Sequence, residues 1–451
     1  MHFQSRIAAR KKSCRTKSIT MTTFVREPIW PMRCFNHSSH PEESVPMIET
    51  LSTQSRELFE SSQVTPGPRY WAGDSRATLP AGIVFQANLQ DGTENAQENW
   101  HLALGLAQNQ IPLRLVPLDP IEEAQPLLPE SVREGLKHLA LQRVDLASSV
   151  IYQAGAPTSW NLDFYGRCRI GRAAFGTDRI PDGWAERCNA IDEIWVPSDF
   201  NRETLASSGV ETQKIRVLHT GVDARHFRPG LPPRDIPHKR GFNFLSTTDL
   251  RRQCGTDVLL RAYLQEFTPD DDVALLLRIS SHKGSSTDPQ AELTFFIETE
   301  LNTRIERTPT IILLDAPLSH AEAARLYTST NAYVLPSRGE AWGRGCLEAL
   351  AAGLPVIATN WGTVSEFLTD GNSFPIAVEG IVPASCEDEL VAGHRWAEPS
   401  VDHLRQRMRE VFSNSSDVQT RAAQGRREVV EHWDWAVVMP EWVQEFRRLC
   451  E

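Results

Sequence analysis

The pairs C-x-x-C and H-x-x-x-H, which are typical of metal sites, are missing from this sequence of 451 residues. The eight cysteines are scattered and none forms a C-x-x-C pair, which argues against a zinc site and a thioredoxin-type motif. The thirteen histidines form no H-x-x-x-H pair, so we assign none of them to a metal or to catalysis. Free thiols in a reducing compartment are the simplest interpretation, and we expect a cytoplasmic protein.

Three further absences exclude whole classes of function. No run of about eighteen apolar residues is present, so the sequence predicts no transmembrane segment. The formal net charge is -11, so no overall basic surface would attract a nucleic acid. The fingerprint G-x-G-x-x-G is absent as well, which disfavours a dinucleotide-dependent dehydrogenase.

The length of the chain and its composition, 40% hydrophobic and 23% charged, indicate a globular protein of two domains. Residues 1–20 are basic but lack the apolar stretch of a secretory signal, which leaves a transit peptide or a start at Met21 or Met47 open. Serine, proline and charged residues recur up to residue 78. We therefore expect residues 1–78 to form an irregular N-terminal extension.

The most informative stretch runs from Asn331 to Ile376. Its apolar run Tyr333–Leu335 predicts a short buried strand, and good helix formers follow over residues 346–352. Gly353 is well placed to end that helix, after which a second apolar run predicts another strand. Such a strand–helix–strand unit belongs to a parallel sheet and carries ligands at the carboxyl ends of its strands.

Two carboxylates, Glu340 and Glu348, lie in this unit. They would be about 12 Å apart along the axis if the segment between them were helical. The N-terminus of the helix between them suits a phosphate, and the carboxylates suit hydroxyl groups on either side. A nucleoside diphosphate sugar has this layout. The alternative is that both glutamates are solvated helix charges, and the spacing alone leaves both interpretations open.

The setting of these glutamates resembles the donor-site signature of glycosyltransferase family 4. The resemblance extends over the pattern P-S-x-x-E-x-W-G-x-x-x-x-E-A-L-A-x-G-x-P-V-I-A-T, which includes the E-x7-E motif. The matching residues are Pro336, Ser337, Glu340, Trp342, Gly343, Glu348, Ala349, Leu350, Ala351, Gly353, Pro355, Val356, Ile357, Ala358 and Thr359.

The resemblance implies an α/β protein with the GT-B fold, in which two Rossmann-like domains face each other across a cleft. It implies a retaining transferase in which Glu340, the catalytic carboxylate, contacts the donor sugar while Glu348 binds the ribose. Backbone amides near the start of the helix would cradle the diphosphate. The donor-binding residues implied by the resemblance are Glu348, Trp342, Gly343, Arg344, Arg251, Arg252, Thr363 and Glu366.

The loop that precedes Gly255 departs from the family. Members of the family carry an Arg-Lys pair directly before this glycine, whereas this sequence has Gln253 and Cys254. Arg251 and Arg252 come just before them and could bind a phosphate in their place, or they could point to solvent. Loss of the lysine removes a charge that would stabilise the leaving group, so we expect a slow, altered or inactive transferase.

The first domain is also predicted to be α/β, because a strand over residues 81–87 is followed by a loop, a helix over 95–108 and a strand over 111–117. Gly92 in that loop resembles the glycine with which the family lines the cleft, although a plain turn is the simpler interpretation. Residues 160–229 resemble the late first domain of one subgroup, which usually has a glutamate where this chain has Gly176.

The predicted boundaries follow from these assignments. Residues 79–230 are the acceptor domain, residues 241–433 the nucleotide-sugar domain, and residues 434–451 a helix that crosses back to the first domain. The proline-rich segment Pro229–Arg240 is expected to link the domains.

The triple acid Asp270–Asp272 raises the alternative of a metal-dependent transferase of the GT-A fold, which binds its metal with D-x-D. It follows a proline and precedes a strand, so a solvated turn is the preferred interpretation. We expect no cofactor and no metal, with the nucleotide-sugar as substrate. The acceptor stays open between sugar, lipid and protein, and so does peripheral contact with a membrane. The competing hypothesis is a non-catalytic GT-B protein that binds a nucleotide, a sugar or a partner protein.

Overall fold

The structure is a computed structural model that describes residues 24–26, 79–89, 94–119, 128–279, 288–384 and 389–450. The strands of these residues are β1 Phe24–Arg26, β2 Ile83–Ala87, β3 Leu113–Pro117, β4 Val150–Ala154, β5 Cys168–Arg172, β6 Glu193–Val196, β7 Ile215–Val217, β8 Phe242–Thr248, β9 Val273–Ile279, β10 Thr310–Leu314, β11 Ala332–Leu335, β12 Val356–Thr359, β13 Phe374–Ile376, β14 Val378–Pro383 and β15 Arg395–Pro399. The helices are α1 Glu94–Gln108, α2 Glu130–Leu141, α3 Trp184–Asn189, α4 Asp199–Ser207, α5 Thr256–Glu266, α6 Pro289–Phe295, α7 His320–Tyr327, α8 Arg344–Ala351, α9 Val401–Phe412, α10 Ser416–Glu428 and α11 Trp435–Cys450.

Two parallel sheets organise these elements. The first has the strand order β3-β2-β4-β5-β6-β7, and the second has the order β1-β10-β9-β8-β11-β12-β13. Strands such as β9, with the sequence VALLLRI, are apolar along almost their whole length because helices cover both faces of the sheet. The prediction of two Rossmann-like α/β domains is therefore confirmed.

Each sheet reverses its direction of growth at one point. In the second sheet the chain runs outward from β8 to β10 and then returns to add β11 on the other side of β8. Loops that follow the two strands at such a reversal diverge and leave a crevice at the carboxyl ends of the strands, where ligands bind in open α/β sheets. The loops in question are residues 249–255 and residues 336–343.

The local predictions around the second reversal point are largely confirmed. The helix α8 begins at Arg344, two residues earlier than predicted, and Gly353 follows it in the left-handed conformation with φ +79°. The pattern S-x-x-E predicts a capping box before α7, and Ser319 and Glu322 form both of its hydrogen bonds.

One strand corrects the prediction that residues 1–78 are irregular. Residues Phe24–Arg26 pair in parallel with Ile311–Leu313 and extend the second sheet at its β10 edge. An edge strand as short as three residues leaves little periodicity in the sequence by which to predict it. The remaining residues of the extension lie outside the described part of the chain.

The helix α11 packs against the first domain after the chain has passed through the second. Trp442 is fully buried in the core of the first domain, where its ring lies 5.6 Å from that of Trp195 and 6.4 Å from that of Tyr152. At the crossing point the backbone N–H of Val222 donates to the carbonyl oxygen of Trp433, and the backbone N–H of Trp435 donates to the carbonyl oxygen of Val222. The crossover thus ties the two domains together beside the cleft. No helix in the described part of the chain has both the length and the apolar composition that crossing a bilayer requires.

Candidate functional site

The two loops at the reversal point of the second sheet are bonded to each other. The backbone N–H of Arg338 donates to the carbonyl oxygen of Gln253 at 2.7 Å, and the side-chain amide of Gln253 donates to the carbonyl oxygen of Gly339 at 2.7 Å. Gly255 has φ +70°, and a Cβ atom there would collide with the carbonyl of Pro336. Only glycine permits this close approach, which holds the loops side by side.

Arg338 fixes the position of the loop that carries Glu340. Its guanidinium is almost completely buried and donates two hydrogen bonds to Asp257, at 2.7 and 2.9 Å, and two to Glu398, at 2.8 and 2.7 Å. A further hydrogen bond of 2.6 Å reaches the carbonyl oxygen of Arg252. Paired and fork-shaped contacts of this kind define one geometry for the loop. The sequence gives no sign of this role, because Arg338 occupies a variable position of the signature.

Glu340 lies half-buried in the loop before α8. Its carbonyl oxygen accepts a hydrogen bond of 2.8 Å from the hydroxyl of Thr363, which is fully buried. Burial opposes the charge on Arg251, but the hydrogen bond and charge of Asp249, with a smaller contribution from Glu340, raise the pKa of Arg251 above its ordinary value. Glu340 and Arg251 therefore belong to the same electrostatic environment.

Arg251 is paired with a carboxylate that the sequence analysis missed. Asp249 is buried, and Arg251 donates to it from Nε at 2.7 Å and lies 2.6 Å from it through Nη2. Burial of Asp249 favours its neutral form, but the bonds and the charge of Arg251 outweigh this and lower its pKa. The Arg251 side chain remains 61% exposed, so it can change partner at low cost. Arg252 is also exposed.

Cys254 takes the place of the family's lysine and does not supply a charge. Burial, followed by the charges of Asp249 and Glu340, raises the pKa of this thiol well above its ordinary value. The thiol therefore stays protonated and neutral. Of the two residues before Gly255, Gln253 uses its side-chain amide in a hydrogen bond within the protein, and Cys254 is a neutral thiol. Neither residue therefore supplies a positive charge.

Glu348 points into the protein and is buried. One carboxylate oxygen accepts a hydrogen bond of 2.7 Å from the hydroxyl of Tyr327, and the other lies 2.9 Å from Nε of Arg344 one helical turn away. Burial and the charge of Glu348 raise the pKa of Tyr327 well above its ordinary value, so the phenol remains a hydrogen-bond donor.

Trp342, Gly343 and Arg344 form the turn into α8. Gly343 precedes the helix with φ +87°, and a Cβ atom there would collide with Val364. The Trp342 side chain is buried, and its ring lies 5.7 Å from that of Trp433 at the crossover. Its side chain is thus part of the packing between the loop and the crossover.

The first domain contacts this site at several points. Gly176 packs against Gly339 so closely that a Cβ atom at Gly176 would lie 2.8 Å from the Gly339 oxygen. Glu366, a predicted donor-binding residue, accepts a hydrogen bond of 2.8 Å from the backbone N–H of Asp199 at the start of α4. The predicted cleft residue Gly92 lies outside the described residues.

A small cavity lies between the domains beside Glu348. Its volume of about 10 Å³ has room for about one water molecule. The charged and polar side chains that line it are Gln97, Glu98, His101, Asp223, Arg344 and Glu348. The two domains thus contribute to one polar space.

A buried ion pair stands behind this cavity. Arg172 donates from Nε to Glu98 at 2.7 Å, and Thr220 donates to the other oxygen of Glu98 at 2.8 Å. Arg172 also donates to Thr220 and to the carbonyl oxygen of Leu218. Because every partner is satisfied, the network fixes the start of α1 relative to the end of β5.

The triple acid forms a turn. Asp271 accepts hydrogen bonds from the backbone and the hydroxyl of Thr268, and Asp272 accepts one from the backbone of Gly241. Within the described residues, no group of three or more potential ligands has a geometry that could hold a metal ion.

Comparison with known proteins agrees with this geometry. Residues 316–415, which include α8 and both glutamates, match the family model of the glycosyl transferases group 1. The chain is 31% identical to a D-inositol 3-phosphate glycosyltransferase 1 of Catenulispora acidiphila over 40% of this chain and 44% of that protein. It is also 31% identical to a D-inositol 3-phosphate glycosyltransferase of Paenarthrobacter aurescens, over 48% and 50%. The chain spans about half the length of the curated relatives it matches.

Solved structures resemble nearly the whole described chain. Sucrose-phosphate synthase from Thermosynechococcus elongatus superposes with a TM-score of 0.57 at 18% identity, over 82% of this chain and 99% of that one. Anabaena Alr3699/HepE in complex with UDP-glucose gives 0.56 at 13% identity, over 81% and 99%. At these identities the likeness shows the fold, and the fold is GT-B, as predicted.

Proposed function

We propose that this chain transfers a sugar from a nucleotide-sugar donor to an acceptor hydroxyl, with retention at the anomeric carbon, as a member of glycosyltransferase family 4. One observation carries the proposal. Glu340 and Glu348 stand on either side of the N-terminus of α8, in the loop and helix that follow β11 at the reversal point of the sheet.

The protein orients the donor by binding each of its three parts, which are the ribose, the diphosphate and the sugar. Glu348 accepts hydrogen bonds from the ribose hydroxyls, the backbone amides at Gly343 and Arg344 hold the diphosphate, and Glu340 accepts hydrogen bonds from the hydroxyls of the sugar. The packed turn before α8 presents its amides in a fixed direction, which lowers the entropy lost on binding. Thr363 supports Glu340 through the backbone and does not need to touch the donor.

Catalysis rests on position and charge. The bond between the anomeric carbon and the diphosphate breaks in the transition state, and negative charge grows on the leaving oxygens. Arg251 supplies the compensating cation by exchanging Asp249 for a phosphate oxygen, a role that the family gives to an Arg-Lys pair. Because the Arg-Lys pair is absent and Cys254 is neutral, we expect slow turnover. Retention is an expectation from the resemblance.

The acceptor binds from the side of the first domain. A sugar, a lipid or a protein hydroxyl would approach the anomeric carbon near the close contact between Gly176 and Gly339. A glutamate at Gly176, as in the related subgroup, would collide with this closed arrangement, so the acceptor region differs from that subgroup.

The competing function is nucleotide binding without transfer. The neutral Cys254 and the internal bonding of Gln253 favour it, because both weaken stabilisation of the leaving group.

A hydrolysis screen separates the two functions. Wild type would be incubated with UDP-sugars and GDP-sugars, with UDP-glucose first, and nucleotide release measured beside Glu348→Ala. We expect release from one donor and its loss in the variant, while Glu298→Ala, which removes an exposed glutamate of the same domain, leaves release unchanged. Nucleotide binding without release from any donor would support the competing function. Absence of both would refute the proposed site.

A further inference from the structure

The cavity between the domains contains a histidine whose ring is held in one orientation. His101 on α1 stacks between Trp100, at a centroid distance of 3.6 Å, and Trp435, at 5.6 Å. Trp435 belongs to the crossing helix α11 and Trp100 to the first domain. Both aromatic planes restrict the ring, so its nitrogens point in fixed directions.

The hydrogen bonding of His101 determines its tautomer. Nδ1 lies 2.9 Å from the carbonyl oxygen of Gln97. A carbonyl oxygen can only accept, so Nδ1 carries the hydrogen and Nε2 carries the lone pair. Burial lowers the pKa of His101 to about 4, which keeps the ring neutral at physiological pH. Nε2 is therefore a hydrogen-bond acceptor.

That acceptor is buried and has no hydrogen-bond partner among the described residues. Buried polar atoms are normally paired, and an exception costs free energy unless a water or a ligand satisfies it. The Oε1 atom of Glu348 lies 2.9 Å from Nε of Arg344 in an ion pair, and a carboxylate oxygen can accept a second hydrogen bond. His101 and Glu348 both line the same small cavity, one from each domain.

Two buried acceptors around one space call for a ligand with two donors. A phosphate at neutral pH offers few donors, and the carboxylates of Glu98, Asp223 and Glu348 around the cavity would repel it. A vicinal diol offers two hydroxyl hydrogens, and its oxygens can accept from a cation such as Arg344. The chemistry of the cavity therefore matches the 2′,3′-diol of a ribose.

We propose that His101 is a second ribose-binding residue, which accepts a hydrogen bond from one hydroxyl of the diol while Glu348 accepts from the other. The inference rests on the proposed nucleotide-sugar function and adds a specificity residue from the first domain. Since the cavity holds about one water in this conformation, the domains must separate to admit the nucleotide and close again on its ribose. His101 therefore makes closure dependent on a complete diol.

The test is a calorimetric titration with UDP, 2′-deoxy-UDP and 3′-deoxy-UDP, and with the guanosine series if UDP does not bind. We expect wild type to bind one of the two deoxy analogues five- to tenfold more weakly through the His101 contact, as loss of about one hydrogen bond implies. His101→Phe keeps an aromatic ring between the two tryptophans and removes the acceptor. This variant should bind UDP five- to tenfold more weakly than wild type does. It should bind UDP no more tightly than the deoxy analogue that lacks the hydroxyl bound by His101, and it should still discriminate against the other deoxy analogue.

Two controls accompany the variant. His101→Gln offers an acceptor oxygen again and should restore part of the discrimination. His138→Phe makes the same substitution at an exposed position on α2 and should behave as wild type. Circular dichroism establishes that each variant is folded, and the deoxy analogues test wild type without any substitution.

The outcomes distinguish the inference from the proposed function. If wild type binds UDP and loses affinity with Glu348→Gln, while His101→Phe keeps wild-type affinity and discrimination, the inference is wrong and the function stands. Equal binding of UDP and both deoxy analogues by wild type would also overturn it. If no nucleoside diphosphate binds wild type, the proposed function fails and this inference fails with it.

Discussion

At one end of the candidate site, the Glu348 side chain is 8% exposed and is held by Tyr327 and Arg344, whereas at the other end the Arg251 side chain is 61% exposed and leans on Asp249. The buried end is built from both domains and is organised before any ligand arrives. The exposed end has flexible arginine side chains, and Cys254 adds no charge to them. An exposed ion pair contributes little, so we expect nucleotide binding to depend more on the buried end than on Arg251.

Removal of Arg338 should have the largest effect, because it holds the loop that joins the two ends. Arg338→Met leaves Asp257 and Glu398 without their buried cation and should lower the free energy of unfolding by about 3 kcal/mol. Urea unfolding at pH 7 measures this, with Arg304→Met at an exposed position of the same domain as the control. A loss below about 1 kcal/mol would show that the loop does not depend on this network.

As the pH falls, the free energy of unfolding should decrease first through His101 at the buried end of the site and then, at lower pH, through Asp249 at the exposed end. Burial lowers the pKa of His101 to about 4, whereas in the unfolded chain its pKa is near 6.5. Between these two pH values the unfolded chain binds a proton at His101 that the folded chain does not bind. Stability should therefore fall between pH 6.5 and pH 4, by about 2 kcal/mol at pH 5 from His101 alone. The lowered pKa of Asp249 acts in the same direction but at lower pH, because its contribution to stability is lost only below about pH 3.8.

Unfolding measured at pH 7 and pH 5 checks this order. The decrease should be smaller by about 2 kcal/mol in His101→Phe than in wild type, whereas the exposed His138→Phe should match wild type. An identical decrease in all three proteins would mean that His101 is protonated in the folded state at pH 5.

A cation at position 254 should reduce the contrast between the ends. Cys254→Lys places a charge beside the leaving group and should raise turnover about tenfold, since such electrostatic terms act directly on the transition state. Cys254→Met introduces a side chain similar in size to lysine but without the charge, so the difference in turnover between the two variants measures the effect of the charge. Equal turnover in the two variants would mean that Arg251 already supplies all the charge the reaction uses.

Much of the fold was predictable because the relevant signals are local. Apolar runs, Gly353 after α8 and the capping box at Ser319 each define an element within a few residues of sequence. The crevice was predictable too, because parallel strands bring their carboxyl ends to one edge. The three-residue strand at Phe24 escaped prediction, since its partner is almost three hundred residues away and its own pattern is too short.

The parts of the site that could not be predicted depend on contacts between distant segments. Nothing in the sequence around His101 indicates that α1 faces Glu348, and the pairing of Glu366 with Asp199 joins two domains. The role of Asp249 was not predictable, because the sequence does not indicate that this acid is buried and accepts a hydrogen bond from Arg251. Such roles follow from burial and from the partners that folding supplies, which composition and spacing do not encode.

The measurement that tests this account most directly is the affinity for UDP or GDP of wild type, Glu348→Gln and Arg251→Met, determined side by side by calorimetry. We predict that Glu348→Gln weakens binding at least tenfold, because a buried, charge-assisted contact is lost, and that Arg251→Met weakens it threefold or less. If Arg251→Met weakened binding as much as Glu348→Gln, the buried end would not dominate nucleotide binding and the account would be contradicted.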